Sequence, residues 1–368
     1  MRPMRTYPLE EISLDAAIQL QFCLVEAIAH HFDGQAVLQA GDYGLWQAAG
    51  RPQTTQRVEA ALADFFEVEA TCLTRGAGTG ALRLVLMALL KPGGRLLVHQ
   101  APVYPTSAVT IEAMGLQLIQ VDFNDLRAIQ QIDPAGIESA LIQHTRQRID
   151  DRYNLGQVIQ ALQAALPGVP LVVDDNYAAL RVPKIGIQLG AQVSAFSLFK
   201  LLGPPGLGLV LGDRGLIDRI HTRNYSGGTQ VQGPEAMEGL RALVYAPVAL
   251  AIQAQVVAEV VKRLNAGDVV GVHRAHIANA QSRVALVELE QPLAQQVLEH
   301  SATYGAAIHP VGAESRYEVA PLLYRVSGTF LADAPELANH VIRINPMRAG
   351  ADLILTILRS SLQDCQGG

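Results

Sequence analysis

The feature that most constrains the fold is a series of short apolar segments between about residues 54 and 213, separated by stretches long enough for helices. Segments rich in Val, Ile and Leu are typical of strands buried on both faces. Such strands alternating with helices predict an α/β fold with a mostly parallel sheet, in which 207–212 pairs antiparallel with the segment before it. The predicted strands are residues 95–99, 116–123, 139–144, 170–174 and 193–199.

Composition limits the classes of function. The 368 residues are 49% hydrophobic and 17% charged, as in an ordinary soluble enzyme. A net charge of −6 argues against nucleic acid as a partner, because nucleic-acid binders usually carry a basic face. Cys23, Cys72 and Cys365 show no disulfide or zinc spacing, so a cytoplasmic location and no metal site are predicted.

No membrane association is predicted. Residues 1–5 have no apolar core behind them, so no signal peptide is evident. The longest uncharged stretch, 242–258, contains Pro247 and two glutamines, and a buried helix between domains explains it better than a membrane span.

The pattern predicts three parts. Residues 1–50 form an N-terminal helical segment, residues 51–240 a large domain, and residues 241–368 an interdomain helix with a smaller α+β domain. The smaller domain is predicted from the alternating segment 283–289 and from later strand-like runs.

Lys200 stands at the end of the predicted strand 193–199, and Asp174 and Tyr177 follow the end of the strand 170–174. Burial disfavours the charged form of a lysine and makes its amine nucleophilic. With an aspartate to pair with a pyridine nitrogen and a tyrosine to donate to the ring oxygen, such a lysine suits a Schiff base to pyridoxal phosphate (PLP). The competing interpretations are a lysine that extends to solvent and acids that bind a metal or cap a helix.

A glycine-rich turn at 75–81 precedes the predicted helix 81–90. The N–H groups at a helix N-terminus bind anions. The glycine spacing also fits a loose dinucleotide fingerprint, but that motif needs a carboxylate after the next strand, where His99 and Gln100 stand instead. A single phosphate is therefore predicted on Gly78, Thr79 and Gly80, and a tight turn without a ligand is the alternative.

Four further side chains are candidates for the site. Tyr104, between two prolines, is predicted to stack on a flat heteroaromatic ring, and Ser197 to share the phosphate. His144, at a strand end, is predicted to approach the ring oxygen or to be hydrogen-bonded there structurally. Arg343, in an apolar C-terminal strand, suits the α-carboxylate of a substrate or a structural salt bridge.

In this order the motifs resemble those of the fold-type I PLP-dependent enzymes, the aminotransferase superfamily. The likeness covers nearly the whole chain. Within the superfamily, segments 76–81, 101–105 and 225–228 are most similar to a bacterial class-V-aminotransferase-like family, the YhfS type. The matched run is Gly78-Thr79-Gly80, Tyr104, Asp174-x-x-Tyr177, Ser197-x-x-Lys200 and Arg343.

The resemblance implies PLP as the cofactor and a role for each matched residue. Lys200 carries the Schiff base, Asp174 contacts the pyridine nitrogen, Tyr177 contacts the ring oxygen and Tyr104 stacks on the ring. The turn 78–80 and Ser197 hold the phosphate.

The resemblance also implies a homodimer whose partner subunit completes the site, with contacts from the N-terminal segment. The candidate partner-subunit loop contains Tyr225, Gly227, Gly228 and Thr229, and residues 41–44 are a second candidate.

The expected activity acts on the α-amino group of a small amino acid or amine, with transamination as the leading hypothesis. Position 208 is glycine where many aminotransferases carry an arginine, and the cysteines do not match the loop cysteine of the desulfurases. The stretch 143–146 is similar to that of sulfur-amino-acid lyases, so β- or γ-elimination or racemisation is the alternative. A non-catalytic PLP-binding protein is the third hypothesis.

Overall fold

A computed structural model describes residues 4–47, 50–226, 228–280, 282–312 and 314–367. The chain forms two compact units. The first unit contains residues 15–144 and 153–248, and the second contains residues 1–14, 145–152 and 249–368. The sequence-based division at residues 50 and 240 remains a prediction.

The first unit alternates helices and strands. Its elements are α1 (Leu14–His31), α2 (Gln53–Phe66), β1 (Ala70–Arg75), α3 (Ala77–Leu89), β2 (Arg95–His99), α4 (Pro105–Ala113), β3 (Gln117–Val121), α5 (Leu126–Gln130), β4 (Ile137–Gln143), α6 (Leu155–Ala165), β5 (Leu171–Asp174), β6 (Val193–Ser197), β7 (Leu207–Gly212), α7 (Arg214–Arg223) and the first half of α8 (Gly233–Asn265).

These strands form one seven-stranded sheet in the order β1-β7-β6-β5-β4-β2-β3. Strands β2 to β6 pair in parallel, and β7 runs antiparallel to both β6 and β1. The predicted α/β fold with a mostly parallel sheet is confirmed, including the antiparallel pairing after the lysine strand. The carboxyl ends of β4, β5 and β6 consequently meet at one edge, where His144, Asp174 and Ser197 lie.

Both faces of the central strands β5, β6 and β7 are buried, which explains why these strands are apolar. In β5, Val172 packs into a cluster with Leu82 and Val85 of α3, whereas Val173 packs into a second cluster with Ile159 of α6. Successive side chains of a strand point to opposite faces, so a strand covered on both sides has apolar residues throughout.

The structure differs from the expectation at helix α3. This helix begins at Ala77 rather than at residue 81, so the glycine-rich segment forms its first turn. Gly76 and Ala77 have φ angles of +90° and +56°, which turn the chain sharply out of β1. Gly80 allows the close approach, because a Cβ atom there would lie 2.0 Å from the Arg75 carbonyl oxygen.

The second unit is built on an antiparallel sheet in the order β10-β11-β9-β8. Its core includes Val287, Ile342 and Leu358, so the smaller α+β C-terminal domain is present. The sequence analysis did not predict β8, the first strand of this sheet. The elements are β8 (Val272–Ala280), β9 (Ser282–Leu289), α9 (Ala294–Thr303), β10 (Leu322–Arg325), α10 (Gly328–Asp333), α11 (Leu337–His340), β11 (Val341–Asn345) and α12 (Ala351–Gly367).

By length and composition, helix α8 is the one helix among the described residues that could cross a membrane. About 44% of its most apolar window is buried inside the structure, and Pro247 lies within it. Core helices of soluble proteins have the same length and composition, so α8 is a weak indication of a membrane span.

Candidate active site

Lys200 lies in a 3-10 turn, Phe199–Leu201, directly after strand β6. Its Nζ atom is 3.7 Å from the centroid of the Tyr177 ring and 5.6 Å from that of the Tyr104 ring. The strand ends at Ser197, so Lys200 follows it and is partly exposed rather than buried within it. Two aromatic rings therefore lie near the amine of a partly exposed lysine.

The backbone fixes the two tyrosines. Tyr177 is buried and has a φ of +64°, a left-handed conformation that is uncommon for residues other than glycine. Tyr104 is the residue before α4, and Pro105 occupies the first helical position, where its fixed φ suits the helix. Strained backbone at Tyr177 is typical of residues held in place for function.

Asp174 ends β5 and is 6% exposed. Its Oδ1 atom accepts hydrogen bonds from the backbone N–H and the side-chain Nδ2 of Asn176, at 3.0 and 2.7 Å. Burial raises the pKa of Asp174, while the bonds from Asn176 and the charge of Lys200 oppose that rise. The carboxyl is thus placed within the electrostatic reach of the lysine.

His144 is held by the neighbouring aspartate. Its Nδ1 atom lies 2.6 Å from Oδ1 of Asp175, and the other oxygen of that carboxylate accepts from Ser194 Oγ at 2.5 Å. The N–H of Gly186 donates to the same carboxylate. Asp175 therefore anchors the imidazole, and the predicted approach of His144 to the ring oxygen stays a prediction for its other nitrogen.

The first turn of α3 offers an anion site. The first helical bond runs from Gly80 N to Gly76 O at 2.8 Å, so the N–H groups of Gly78 and Thr79 precede the hydrogen-bonded ladder. The hydroxyl of Thr79 donates to the hydroxyl of Thr106, at 2.9 Å. A phosphate at this turn would meet N–H donors and the positive end of the helix dipole.

The hydroxyl group of Ser197 is a candidate ligand for the phosphate. Its Oγ is buried and has no hydrogen-bond partner within the described parts of the chain, although a buried hydroxyl is normally bonded. Its backbone N–H donates to Asn176 Oδ1 at 3.0 Å. The residues fit PLP: Ser197 and the α3 turn suit its phosphate, Asp174 its pyridine nitrogen, and Lys200 its aldehyde.

The remaining predicted residues have local partners of their own. Arg343 belongs to the second unit, where its Nε donates to the Arg325 carbonyl at 2.7 Å and its guanidinium lies 4.1 Å from the Tyr324 ring centroid. Tyr225 is exposed, and Thr229 Oγ1 donates to the Ser226 carbonyl at 2.9 Å. Gly228 lies in the same turn, and Gly227 lies outside the described residues.

The sequence analysis did not single out Asn176. An asparagine side chain after a strand commonly forms hydrogen bonds with nearby backbone groups. The residue type therefore does not indicate which distant groups it will contact. Its contacts with Ser197 and with the α3 turn depend on three separate segments coming together.

A second polar cluster, which the sequence spacing did not reveal, lies against the edge strand β1. Glu59, Cys72 and His221 each bring one potential metal-ligand atom within 4.8 Å of the others, beside a cavity of about 280 Å³. Arg51 Nε lies 2.7 Å from Glu59 Oε2, so an arginine already neutralises this carboxylate. Burial raises the pKa of Glu59 to about 7 and lowers the pKa of His221 to about 4.

Two family models match the chain. The model described as "YhfS-like, C-terminal domain" matches residues 258–358, and that of "Aminotransferase class I and II" matches residues 22–151. The aminotransferase match is therefore to classes I and II, and the class V assignment made from the sequence is not confirmed.

Solved structures show the same fold. The crystal structure of the PLP-dependent protein YhfS from Escherichia coli superposes with a TM-score of 0.96, at 52% identity, over 98% of this chain and 100% of that one. Cystathionine gamma synthase from Xanthomonas oryzae pv. oryzae has a TM-score of 0.73 at 18% identity, over 95% and 98%. CalE6, a methionine gamma lyase from Micromonospora echinospora, has a TM-score of 0.72 at 15% identity, over 94% and 98%.

The two more distant structures share the fold alone, whereas the match to YhfS holds in sequence as well. The YhfS sequence of Escherichia coli strain K12 is 52% identical over 360 residues, which is 98% of this chain and 99% of that protein. With the predicted PLP residues gathered on one sheet edge, the sequence match is decisive: the chain belongs to the YhfS-like family of PLP-dependent proteins.

Proposed function

We propose that the protein acts on the α-amino group of a small amino acid or amine through the Lys200 amine, with PLP as its cofactor. The observation that carries this proposal is the position of the amine, with its Nζ atom 3.7 Å from the Tyr177 ring centroid in a turn beside the Asp174 carboxyl. When bound, PLP supplies a sink for the electrons left at the substrate Cα when a bond to that atom breaks.

The protein residues bind, orient and move a proton. The N–H groups of Gly78 and Thr79 and the Ser197 hydroxyl would hold the phosphate, and the Asp174 carboxylate would pair with the pyridine nitrogen. With cofactor and substrate bound, the unprotonated Lys200 amine would take the proton from the substrate Cα and become an ammonium. Tyr104 would stack on the ring.

We propose transamination as the first candidate reaction. The motif order resembles that of the aminotransferase superfamily, and residues 22–151 match the class I and II model. With PLP bound, this reaction would convert the amino acid and one water molecule to a 2-oxo acid, and the cofactor would keep the amino group.

Elimination at the β or γ carbon is the second candidate. The neighbours named cystathionine gamma synthase and methionine gamma lyase share the fold over about the whole chain, which motivates it. Tyr104, whose ring lies 5.6 Å from the Lys200 amine, would then donate a proton to the leaving group.

The Lys200→Ala variant tests the requirement for the lysine amine, which both candidate reactions share. We expect the variant to lose the visible absorbance of lysine-bound PLP and all detectable turnover, because no other residue supplies the amine. Lys184→Ala, at an exposed position of the same unit, is the matched control and should behave as wild type. Normal turnover by Lys200→Ala would refute the proposal.

A panel of amino acids then separates the reactions. Transamination yields a 2-oxo acid without ammonia in a single turnover, whereas elimination releases ammonia and the leaving group. The panel should include the decarboxylated amine of each substrate, because we propose that Arg343 binds the α-carboxylate. Loss of carboxylate preference in Arg343→Ala would support this role, and an unchanged preference would contradict it.

We also propose a homodimer. Apolar side chains of the N-terminal region are exposed, among them Phe22 and Val25 of α1 and Tyr43 and Trp46 after it. Exposed apolar groups of this kind mark interaction surfaces. Sedimentation analysis measures the mass in solution, and a monomer at micromolar concentration would contradict the proposal.

A further inference from the structure

Asn176 joins the ends of two neighbouring strands through its side-chain amide. The Nδ2 group donates to Asp174 Oδ1 at 2.7 Å, and Oδ1 of the amide accepts the backbone N–H of Ser197 at 3.0 Å. A carboxylate only accepts and a backbone N–H only donates, so a single orientation of the amide satisfies both partners. The amide therefore ties the carboxylate of β5 to the end of β6.

The same amide contacts the first turn of α3. A Cβ atom added to Gly78 would lie 2.5 Å from both Nδ2 and Oδ1 of Asn176, closer than real side chains approach. The glycine thus lets the phosphate-binding turn rest directly on the amide. Asn176 consequently contacts the groups proposed for the ring nitrogen and for the phosphate.

Asn176 also controls the Asp174 carboxylate. Its backbone N–H and its Nδ2 both donate to Oδ1, and within the described residues no other group donates to Asp174. No described group donates a hydrogen bond to the second carboxylate oxygen, Oδ2. Burial raises the pKa of Asp174, and the side-chain bond from Asn176 is the largest influence that opposes it.

We propose that Asn176 is a positioning residue that holds the Asp174 carboxylate ionised and turned so that Oδ2 pairs with the pyridine nitrogen of PLP. The inference deepens the proposed function, since it rests on the role of Asp174 there. Asn176 acts through Asp174 and needs no contact with the substrate.

The test compares two cofactors on two proteins. PLP and its 1-deaza analogue, in which a C–H group replaces the ring nitrogen, carry the same phosphate and aldehyde. The apoenzyme of wild type and of Asn176→Ala is loaded with each, and dissociation constants are measured by fluorescence titration. We expect wild type to prefer PLP by about tenfold or more, the size of one charge-assisted hydrogen bond.

In Asn176→Ala we expect this preference to fall to about threefold or less, because the carboxylate loses its orientation and its ionised form. A merely structural loss would weaken both cofactors equally and leave the ratio unchanged. Asn154→Ala is the matched control: Asn154 caps α6 by accepting from the N–H of Gln157 at 3.1 Å, and its variant should keep the wild-type ratio.

The outcomes separate this inference from the proposed function. A wild-type ratio in Asn176→Ala overturns the inference and leaves the role of Asp174 intact. If wild type itself shows no preference, both the role of Asp174 at the ring nitrogen and the inference are wrong. The Lys200→Ala variant then remains an independent test of the proposed function. If the alanine variant does not fold, Asn176→Ser, which cannot span both partners, takes its place and must show the same loss of preference.

Discussion

Two buried carboxyl groups of the first unit have different surroundings. Asp174 lies in the candidate active site, and Glu59 of α2 lies against the edge strand β1. Glu59 has a partner for each oxygen: Oε1 accepts the N–H of Leu73 at 2.9 Å, and Oε2 lies 2.7 Å from Arg51 Nε. Among the described residues, hydrogen bonds reach Asp174 at Oδ1 alone, and both come from Asn176. A carboxyl that forms an ion pair with a neighbouring arginine serves stability, whereas a carboxyl with one oxygen to which no described group donates suits a ligand.

The largest effect is expected from Asp174→Asn. The amide is nearly the same size but cannot carry the negative charge that would keep the ring nitrogen protonated. We expect kcat/KM to fall by about 10³-fold or more, roughly 4 kcal/mol, with the melting temperature nearly unchanged. Steady-state kinetics on the substrate found by the panel measures it, and near-normal turnover would remove Asp174 from the mechanism.

Asp175→Asn is the control at the adjacent position. Its carboxylate is bonded by His144, Ser194 and Gly186, all inside the protein. Its variant should therefore lose stability more than turnover per bound cofactor, the reverse of Asp174→Asn.

The next effect is expected at the edge cluster. Arg51→Met leaves the Glu59 carboxylate buried without its positive partner, which costs about 3–5 kcal/mol of unfolding free energy at pH 8. PLP affinity should not change. Urea denaturation measures the loss, and the added Glu59→Gln change should recover most of it. A stable single variant would mean that the pair contributes nothing.

A pH-dependent comparison sharpens the contrast at Glu59 and His221. The folded-state pKa of Glu59 is raised from 4.5 to about 7, so the native state holds more protons than the unfolded state between these values and stability falls as pH rises. The folded-state pKa of His221 is lowered from 6.5 to about 4, so stability rises with pH between about 4 and 6.5. The two contributions oppose each other.

Single variants should separate them. As pH rises from about 4.5 to 7, the unfolding free energy of Glu59→Gln should increase relative to that of wild type by about 3 kcal/mol. As pH rises from about 4 to 6.5, that of His221→Gln should decrease relative to wild type by about 3 kcal/mol. Urea denaturation across this pH range gives both differences. Parallel pH profiles for the two variants would show that the cluster does not titrate this way.

The sheet and the order of the site residues could be predicted because both depend on local patterns. Strands buried on two faces are apolar throughout, and the carboxyl ends of parallel strands meet at one edge, which brings Asp174 and Ser197 together. The strand predicted before Lys200 extends two residues too far, to 199 instead of Ser197, because an apolar run does not show where a strand ends and a 3-10 turn begins.

Features that depend on tertiary contacts were not predictable. The partners of Asn176, and the meeting of Glu59, Cys72 and His221, join residues far apart in the chain without a spacing rule. The N-terminal segment was predicted to be helical, and within its helix α1 the large apolar side chain of Phe22 is 55% exposed in the single chain. Periodicity identifies a helix but not which neighbour its face will meet.

The hydrogen bond from Leu73 to Glu59 also bears on how the folded protein avoids self-association. An edge strand with open N–H groups is a template for pairing with another chain. Glu59 occupies the Leu73 donor on β1 and Arg51 adds charge beside it, so both groups hinder strand addition at this point of the edge. On the opposite edge strand, β3, the exposed side chains are the polar Gln117 and Gln120 and the apolar Leu118. The two edge strands therefore differ in how they oppose pairing with another chain: β1 has a carboxylate on a backbone donor, and β3 has exposed glutamines.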